Sequence, residues 1–194
     1  MTAYTGAITD LPLFRYGRII ADPPWRFELH SEKGEGKAPQ AHYACMSTDD
    51  ICRLPVGHIA HQNCVLFMWA TFPMIADALR VMAAWGFQYK TGGAWSKRTV
   101  TGKPAFGPGY ILRSSCEPFL IGTMGNPAWA SKSVRNYIEA PTRGHSRKPD
   151  DQYTHMDQLV PGVPGIELYA RQTMPGWDCW GNETGKFTPA EVDA

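Results

Sequence analysis

Arg18-Ile19-Ile20-Ala21-Asp22-Pro23-Pro24-Trp25 is a short apolar run that stops abruptly at an acid and two prolines. A run without polar alternation reads as a strand buried on both faces, the kind found inside a parallel sheet. The abrupt stop at Asp22 places that carboxylate where a buried strand reaches the edge of its sheet. Val65-Leu66-Phe67-Met68-Trp69 repeats the pattern downstream. Pro73 then opens a helix with apolar residues at Met74, Ile75, Ala78, Leu79, Met82 and Trp85, closed by Gly86. Further strands are predicted at Phe87 to Trp95, Pro118 to Thr123, Gly165 to Arg171 and Trp177 to Gly181, with a helix at Asp150 to Leu159.

Ser47 or Thr48 caps a short helix through Arg53. Three stretches read as loops: Arg26 to Ala44, Gly102 to Gly109 and Gly125 to Pro149. Gly122-Thr123-Met124-Gly125 reads as a turn. Strands alternating with helices predict an α/β fold: three layers, a mostly parallel sheet, and one domain over residues 1–194. Ligands in such sheets bind outside the carboxyl ends of the strands, where both Asp22 and Arg171 fall.

The 194 residues are 43% hydrophobic and 19% charged, an ordinary globular balance. Five cysteines without a C-x-x-C pair argue against a disulfide framework and a zinc knuckle, and fit a reducing cytoplasm. No metal is expected: His58 and His61 find no third ligand and read as a surface turn. The first ten residues show no secretory signal, and the longest apolar stretch, Cys64 to Ala70, is too short for a membrane. The formal net charge is +1, but Lys90 to Lys148 holds ten basic residues against Glu117 and Glu139. That asymmetry predicts a face that meets a polyanion, unless the signs mix after folding.

At the motif itself, Asp22 supplies a carboxylate acceptor and the Pro23 carbonyl a second one. Two acceptors suit an amino group carrying two N–H bonds, since together they draw its lone pair out of conjugation and favour a tetrahedral nitrogen in the transition state. Successive prolines fix the backbone and bring no competing N–H donors. Trp25 offers a flat face for stacking a base. The plainer alternative is a tight Pro-Pro turn with Trp25 filling the core.

Asp22-Pro23-Pro24-Trp25 resembles the signature of the MTA-type adenine-N6 methyltransferases. The similarity continues in order through His42-Tyr43-Ala44-Cys45-Met46-Ser47, Phe67-Met68-Trp69, Trp85-Gly86-Phe87, Ser146-Arg147-Lys148-Pro149-Asp150, Ile166-Glu167-Leu168-Tyr169-Ala170-Arg171 and Gly181-Asn182-Glu183. The resemblance implies a Rossmann-like methyltransferase fold with circularly permuted motifs and S-adenosyl-L-methionine as cofactor. It implies that Asp22, Pro23, Pro24 and Trp25 form the catalytic motif and that Tyr43 lies beside the target base. It implies that Lys148 pairs with the cofactor's carboxylate, Arg171 contacts its ribose, and Asn182 and Glu183 lie toward its ribose and adenine, with Asp22, Glu167 and Tyr169 completing that set.

Trp95, Arg113, Arg143 and Arg147 are the candidate substrate contacts, with Phe106, Tyr110 and Trp129 as further stacking candidates. The expected partner is nucleic acid, single-stranded DNA and RNA included, and the expected assembly a monomer or homodimer away from membranes. The compact sequence looks like a bacterial or phage DNA enzyme more than a messenger-RNA enzyme. An RNA adenosine methyltransferase, a catalytically inactive nucleic-acid-binding paralogue and a small-amine methyltransferase are the alternatives.

Overall fold

The computed structural model of the chain describes residues 1–26, 45–109 and 111–187. Its strands are β1 (Ala3–Tyr4), β2 (Tyr16–Ala21), β3 (Ala60–Trp69), β4 (Gln88–Arg98), β5 (Cys116–Met124), β6 (Tyr137–Pro141), β7 (Gly165–Leu168) and β8 (Trp177–Trp180). Its α-helices are α1 (Thr48–Arg53), α2 (Val56–Ile59), α3 (Ile75–Ala84) and α4 (Asp151–Leu159). All eight strands join one sheet in the order β1-β8-β7-β2-β3-β5-β4-β6. Every neighbouring pair is parallel except those made by β5, which runs antiparallel to both β3 and β4.

The motif strand β2 is buried along its whole length because β7 and β3 flank it. Alternate side chains part to opposite faces, as strand geometry requires. Ile19, Ala21, Leu66 and Met68 pack with Ile51 of α1 and with Ala78, Val81 and Met82 of α3. Ile20, Val65, Phe67 and Trp69 pack on the other face with Tyr153 and Met156 of α4. Helices therefore cover both faces and the three-layer expectation holds. Burying one such large side chain contributes about 1.5–3 kcal/mol, and a stacked Phe67–Phe119 pair, 4.4 Å between centroids, knits β3 to β5. The late strand β7 lies directly beside the early strand β2, in the permuted order that the resemblance implies.

Local signals explain the helix ends. The Ser47 hydroxyl accepts from the Asp50 amide and caps α1. The helix expected from Pro73 begins as a 3-10 turn over Phe72–Met74 before α3 proper. Gly86, at φ +86°, takes the left-handed conformation that closes it.

Three expectations need correction. Gly122 to Met124 is strand, not turn; a side chain at Gly122 would meet the Met82 sulfur at 2.6 Å, so the glycine lets β5 pack against α3. The turn begins at Gly125, φ +61°. The stretch from Gly125 to Pro149 contains an edge strand, β6, hidden in the sequence because Ile138 is its single buried residue. Strand β7 ends at Leu168 because Tyr169 adopts φ +61°, which breaks the extended backbone. The Arg26–Ala44 loop lies, but for Arg26, outside the described residues. Among the described residues no helix is long and apolar enough to cross a membrane.

Candidate active site

Parallel β2 and β7 end side by side, pairing Ala21 with Leu168, so Asp22 and Arg171 leave the sheet at the same edge. The Asp22 amide extends the ladder with a 3.4 Å bond to the Leu168 carbonyl. The chain then tightens: the Trp25 amide donates to the Pro23 carbonyl at 2.8 Å, and the Met46 amide to the Pro24 carbonyl at 2.9 Å. Trp25 is 5% exposed and its indole donates to the Trp69 carbonyl. Trp25 is thus the anchor that ties the motif to β3, not an open stacking face. The Pro23 carbonyl already accepts once and keeps one lone pair for a ligand.

A cleft opens above this edge, lined by Asp22, Arg147, Lys148, Gln152, Glu167, Tyr169, Arg171, Gln172 and Phe187. Lys148 is buried and donates to Asp22 Oδ2 at 2.9 Å and to Glu117 Oε1 at 3.0 Å. Burial alone would lower the Lys148 ammonium pKa, but the two carboxylates outweigh it and hold it above the ordinary range. Arg171 approaches Asp22 Oδ2 at 3.7 Å and donates to the Ser146 carbonyl. Asp22 Oδ1 makes no hydrogen bond or ion pair among the described residues.

Glu167 stands deeper in the cleft, accepting from the Tyr153 hydroxyl at 2.5 Å and the Gln152 amide at 3.3 Å. Burial, with Asp22 nearby, pushes its carboxyl up to about 7 against the pull of those donors. Gln152 also accepts from the Trp69 indole at 2.6 Å, so α4 braces the cleft floor against β3. Tyr169, held by its left-handed backbone, lines the cleft wall, and its buried hydroxyl has no hydrogen-bond partner among the described residues. Phe187 meets the guanidinium groups of Arg147 and Arg171, each 5.4 Å from its ring centroid.

The structure sorts the residues singled out by sequence. Asp22, Lys148, Glu167, Tyr169 and Arg171 converge on the cleft, and Arg147 joins them, its Nε donating to Gln172 at 2.8 Å. Asn182 and Glu183 are exposed and stand off the lining, with Glu183 paired to Lys186 at 2.8 Å. Trp95 is 3% exposed, its indole bonded to the Ala140 carbonyl, so it is core and cannot stack a base. Arg143 pins its own loop by two 2.9 Å bonds to Asp150. Arg113 remains on the surface over Phe106, which is 81% exposed on the β4–β5 connection. Tyr43 and Tyr110 lie outside the described residues.

The basic stretch is partly neutralised by folding: Lys97 pairs with Glu117 and Arg98 with Glu139. Lys103, Arg113, Lys132 and Arg135 form no ion pair among the described residues. Glu117, Gln152, Tyr153, Gln172 and Phe187 escape the sequence reading. Glu117 alone carried a signal, as one of two acids among ten bases.

The donor set fits S-adenosylmethionine. Carboxylates stand ready for an ammonium and a ribose, cations for a carboxylate, and an aromatic face with an orphaned hydroxyl for a purine. Among the described residues no group of three or more His, Cys, Asp or Glu could hold a metal ion.

Over 192 residues the chain is 30% identical to the type II methyltransferase M.MunI of Mycoplasma sp, covering 90% of this chain and 80% of that protein. It is 30% identical to a putative N(6)-adenosine-methyltransferase MT-A70-like protein of Medicago truncatula, over 88% of this chain and 27% of that one. It is 27% identical to the human N(6)-adenosine-methyltransferase catalytic subunit METTL3, over 88% of this chain. The chain thus spans most of the Mycoplasma protein but little more than a quarter of the plant and human ones. The MT-A70 family model matches residues 16–183, from the first residue of the motif strand to the turn after β8, and the chain belongs to the MT-A70 family.

Proposed function

We propose that this chain transfers a methyl group from S-adenosylmethionine to the N6 amino group of adenine in nucleic acid, DNA in preference to RNA, as one catalytic domain. The observation that carries the reading is Asp22: one oxygen held by Lys148 and the other open, at the mouth of a cleft bearing both signs of charge. When bound, the cofactor supplies an electrophilic methyl group on a sulfonium.

The chain's own residues do the rest. Asp22 Oδ1 accepts one N–H of the adenine amino group and the spare lone pair of the Pro23 carbonyl accepts the other. The nitrogen lone pair would thereby be drawn out of the ring, and the proton that the nitrogen sheds on gaining the methyl group would pass to Asp22 Oδ1. Lys148 would hold the cofactor's carboxylate, Arg171 and Glu167 would meet its ribose, and Tyr169 with Phe187 would receive its purine. Tyr153 and Gln152 keep Glu167 in place while it does so. Lys103, Arg113, Lys132 and Arg135 supply phosphate contacts, and Phe106 and Trp129 supply exposed stacking faces.

The preference for DNA is supported by the likeness to the type II methyltransferase, at 30% identity over 192 residues. The test is incorporation of labelled methyl into adenine-containing single- and double-stranded DNA and RNA, with Asp22→Ala in parallel. Transfer to DNA that Asp22→Ala abolishes is expected. Equal transfer by both proteins would sink the mechanism, and cofactor binding without transfer would identify an inactive paralogue.

A further inference from the structure

Five charged groups of alternating sign run in line from the β4 surface to the motif. Lys97 Nζ lies 2.6 Å from Glu117 Oε2, Glu117 Oε1 lies 3.0 Å from Lys148 Nζ, Lys148 Nζ lies 2.9 Å from Asp22 Oδ2, and Arg171 closes on the same oxygen at 3.7 Å. The floor beneath the chain is aromatic. Lys97 Nζ sits 5.1 Å from the Trp95 centroid and Lys148 Nζ 5.6 Å from that of Trp69, and these two rings meet edge-on at 6.2 Å. The Glu117 and Lys148 side chains are 13% and 8% exposed, so their charges are little screened.

Two carboxylates on this floor, Glu117 and Asp22, compete for Lys148. Lys97 settles the competition by occupying one oxygen of Glu117 and leaving a single oxygen for Lys148, which reaches Asp22 Oδ2 with another of its donors. Without Lys97, an under-compensated buried carboxylate would draw Lys148 toward itself and away from the motif.

We propose that Lys97 is a positioning residue for methyl transfer: through Glu117 it sets how Lys148 is divided between Glu117 and Asp22. The inference rests on the proposed function above, since its readout is the transfer step. Glu117 faces Lys97 from β4 and Lys148 from the loop before α4, while Asp22 and Arg171 face the far side of Lys148. Burial alone would raise the Glu117 carboxyl, yet the two lysines hold it below the ordinary range. Loss of Lys97 therefore raises it.

The experiment measures kcat, KM for an adenine-containing oligonucleotide and the pH–rate profile for wild type, Lys97→Met and Lys97→Arg. Lys97→Met is expected to lower kcat about tenfold, the scale of one charged hydrogen bond, with KM nearly unchanged. It is also expected to move the acid limb of kcat upward by about one pH unit, the scale on which a nearby opposite charge shifts a carboxyl. Lys97→Arg restores both. If Lys97→Met fails to fold, Lys97→Gln, which keeps a donor toward Glu117 without the charge, is read in the same way. A raised KM with a salt slope lower by about one and an unmoved acid limb would make Lys97 a phosphate contact only and overturn the inference. No transfer by the wild type would overturn the proposed function together with this inference, whereas wild-type transfer with unaltered Lys97 variants overturns this inference alone.

Discussion

The cleft over β2 and β7 and the β4–β5 connection stand on the same sheet and treat charge in opposite ways. In the cleft Lys148 meets two carboxylates, Glu167 meets two donors, and Arg147 and Arg171 frame one aromatic ring. On the β4–β5 connection Lys103 and Arg113 stand without ion pairs among the described residues, and Val100, Phe106, Ile111 and Leu112 are more than 80% exposed. A site that must aim reacting atoms has its polar groups fixed beforehand, because reorganising them during reaction would cost rate. A surface that meets a flexible polyanion gains from charges that remain hydrated until contact, since binding then releases counterions. On the proposed function, the contrast separates the part of the molecule that carries chemistry from the part that receives substrate.

The sharpest way to break that contrast is to remove the cation at its centre. Lys148→Met removes the cation shared by Asp22 and Glu117, leaving Glu117 to Lys97 and Asp22 to Arg171 at 3.7 Å, and is expected to cost about 3–5 kcal/mol of stability, measured by urea unfolding. Adding Asp22→Asn to that variant should recover part of the loss, and strict additivity of the two changes would refute the coupling. Next in size, Trp25→Phe keeps the apolar ring but strands the buried Trp69 carbonyl, at about 1–3 kcal/mol by thermal unfolding. If Trp25 were a stacking platform, the variant would instead hold its stability and lose substrate affinity.

Glu167 sharpens the contrast through pH. Its carboxyl is pushed up to about 7 by burial, so the folded form holds the proton more tightly than the unfolded chain does. That contribution to stability is present below the ordinary carboxyl range and is lost as pH rises through about 7. Glu167→Gln, which cannot ionise, is expected to gain on the wild type by about 1–3 kcal/mol between roughly pH 5 and pH 8. Unfolding curves at both pH values check this, and a constant difference would show that Glu167 does not titrate there. Smallest in stability are Arg113→Ala and Phe106→Ala, each within about 0.5 kcal/mol of wild type. The first should lower the salt slope of oligonucleotide binding by about one. The second should weaken single-stranded binding by about 1–3 kcal/mol, with kcat unchanged in both.

Much of the frame was legible in the residues alone. Arg18 to Ala21 and Val65 to Trp69 announced buried strands because strands covered on both faces need no polar alternation, and Pro73 and Gly86 bracketed a helix by backbone chemistry. Asp22 stood out because a carboxylate at the end of such a strand has few structural uses. The order of quoted motifs then tied Lys148, Glu167, Tyr169 and Arg171 to the same site. Strand β6 was not legible, since one buried residue in an edge strand leaves no period to read.

What tertiary structure decided was the partner of each side chain. An exposed and a buried tryptophan look alike in a sequence, and folding put Trp25 and Trp95 into the core while leaving Phe106 in the open. A basic residue in a run carries no mark of its counter-ion: Arg143 was taken by Asp150, seven residues on, and Lys97 by Glu117 across two paired strands. Hydrophobic period and backbone stereochemistry act over a few residues and are written in local order. Charge pairing acts through space over a few ångströms, and the residues it joins at the motif, Asp22 and Lys148, become neighbours because β2 and the loop before α4 meet at one edge of the sheet.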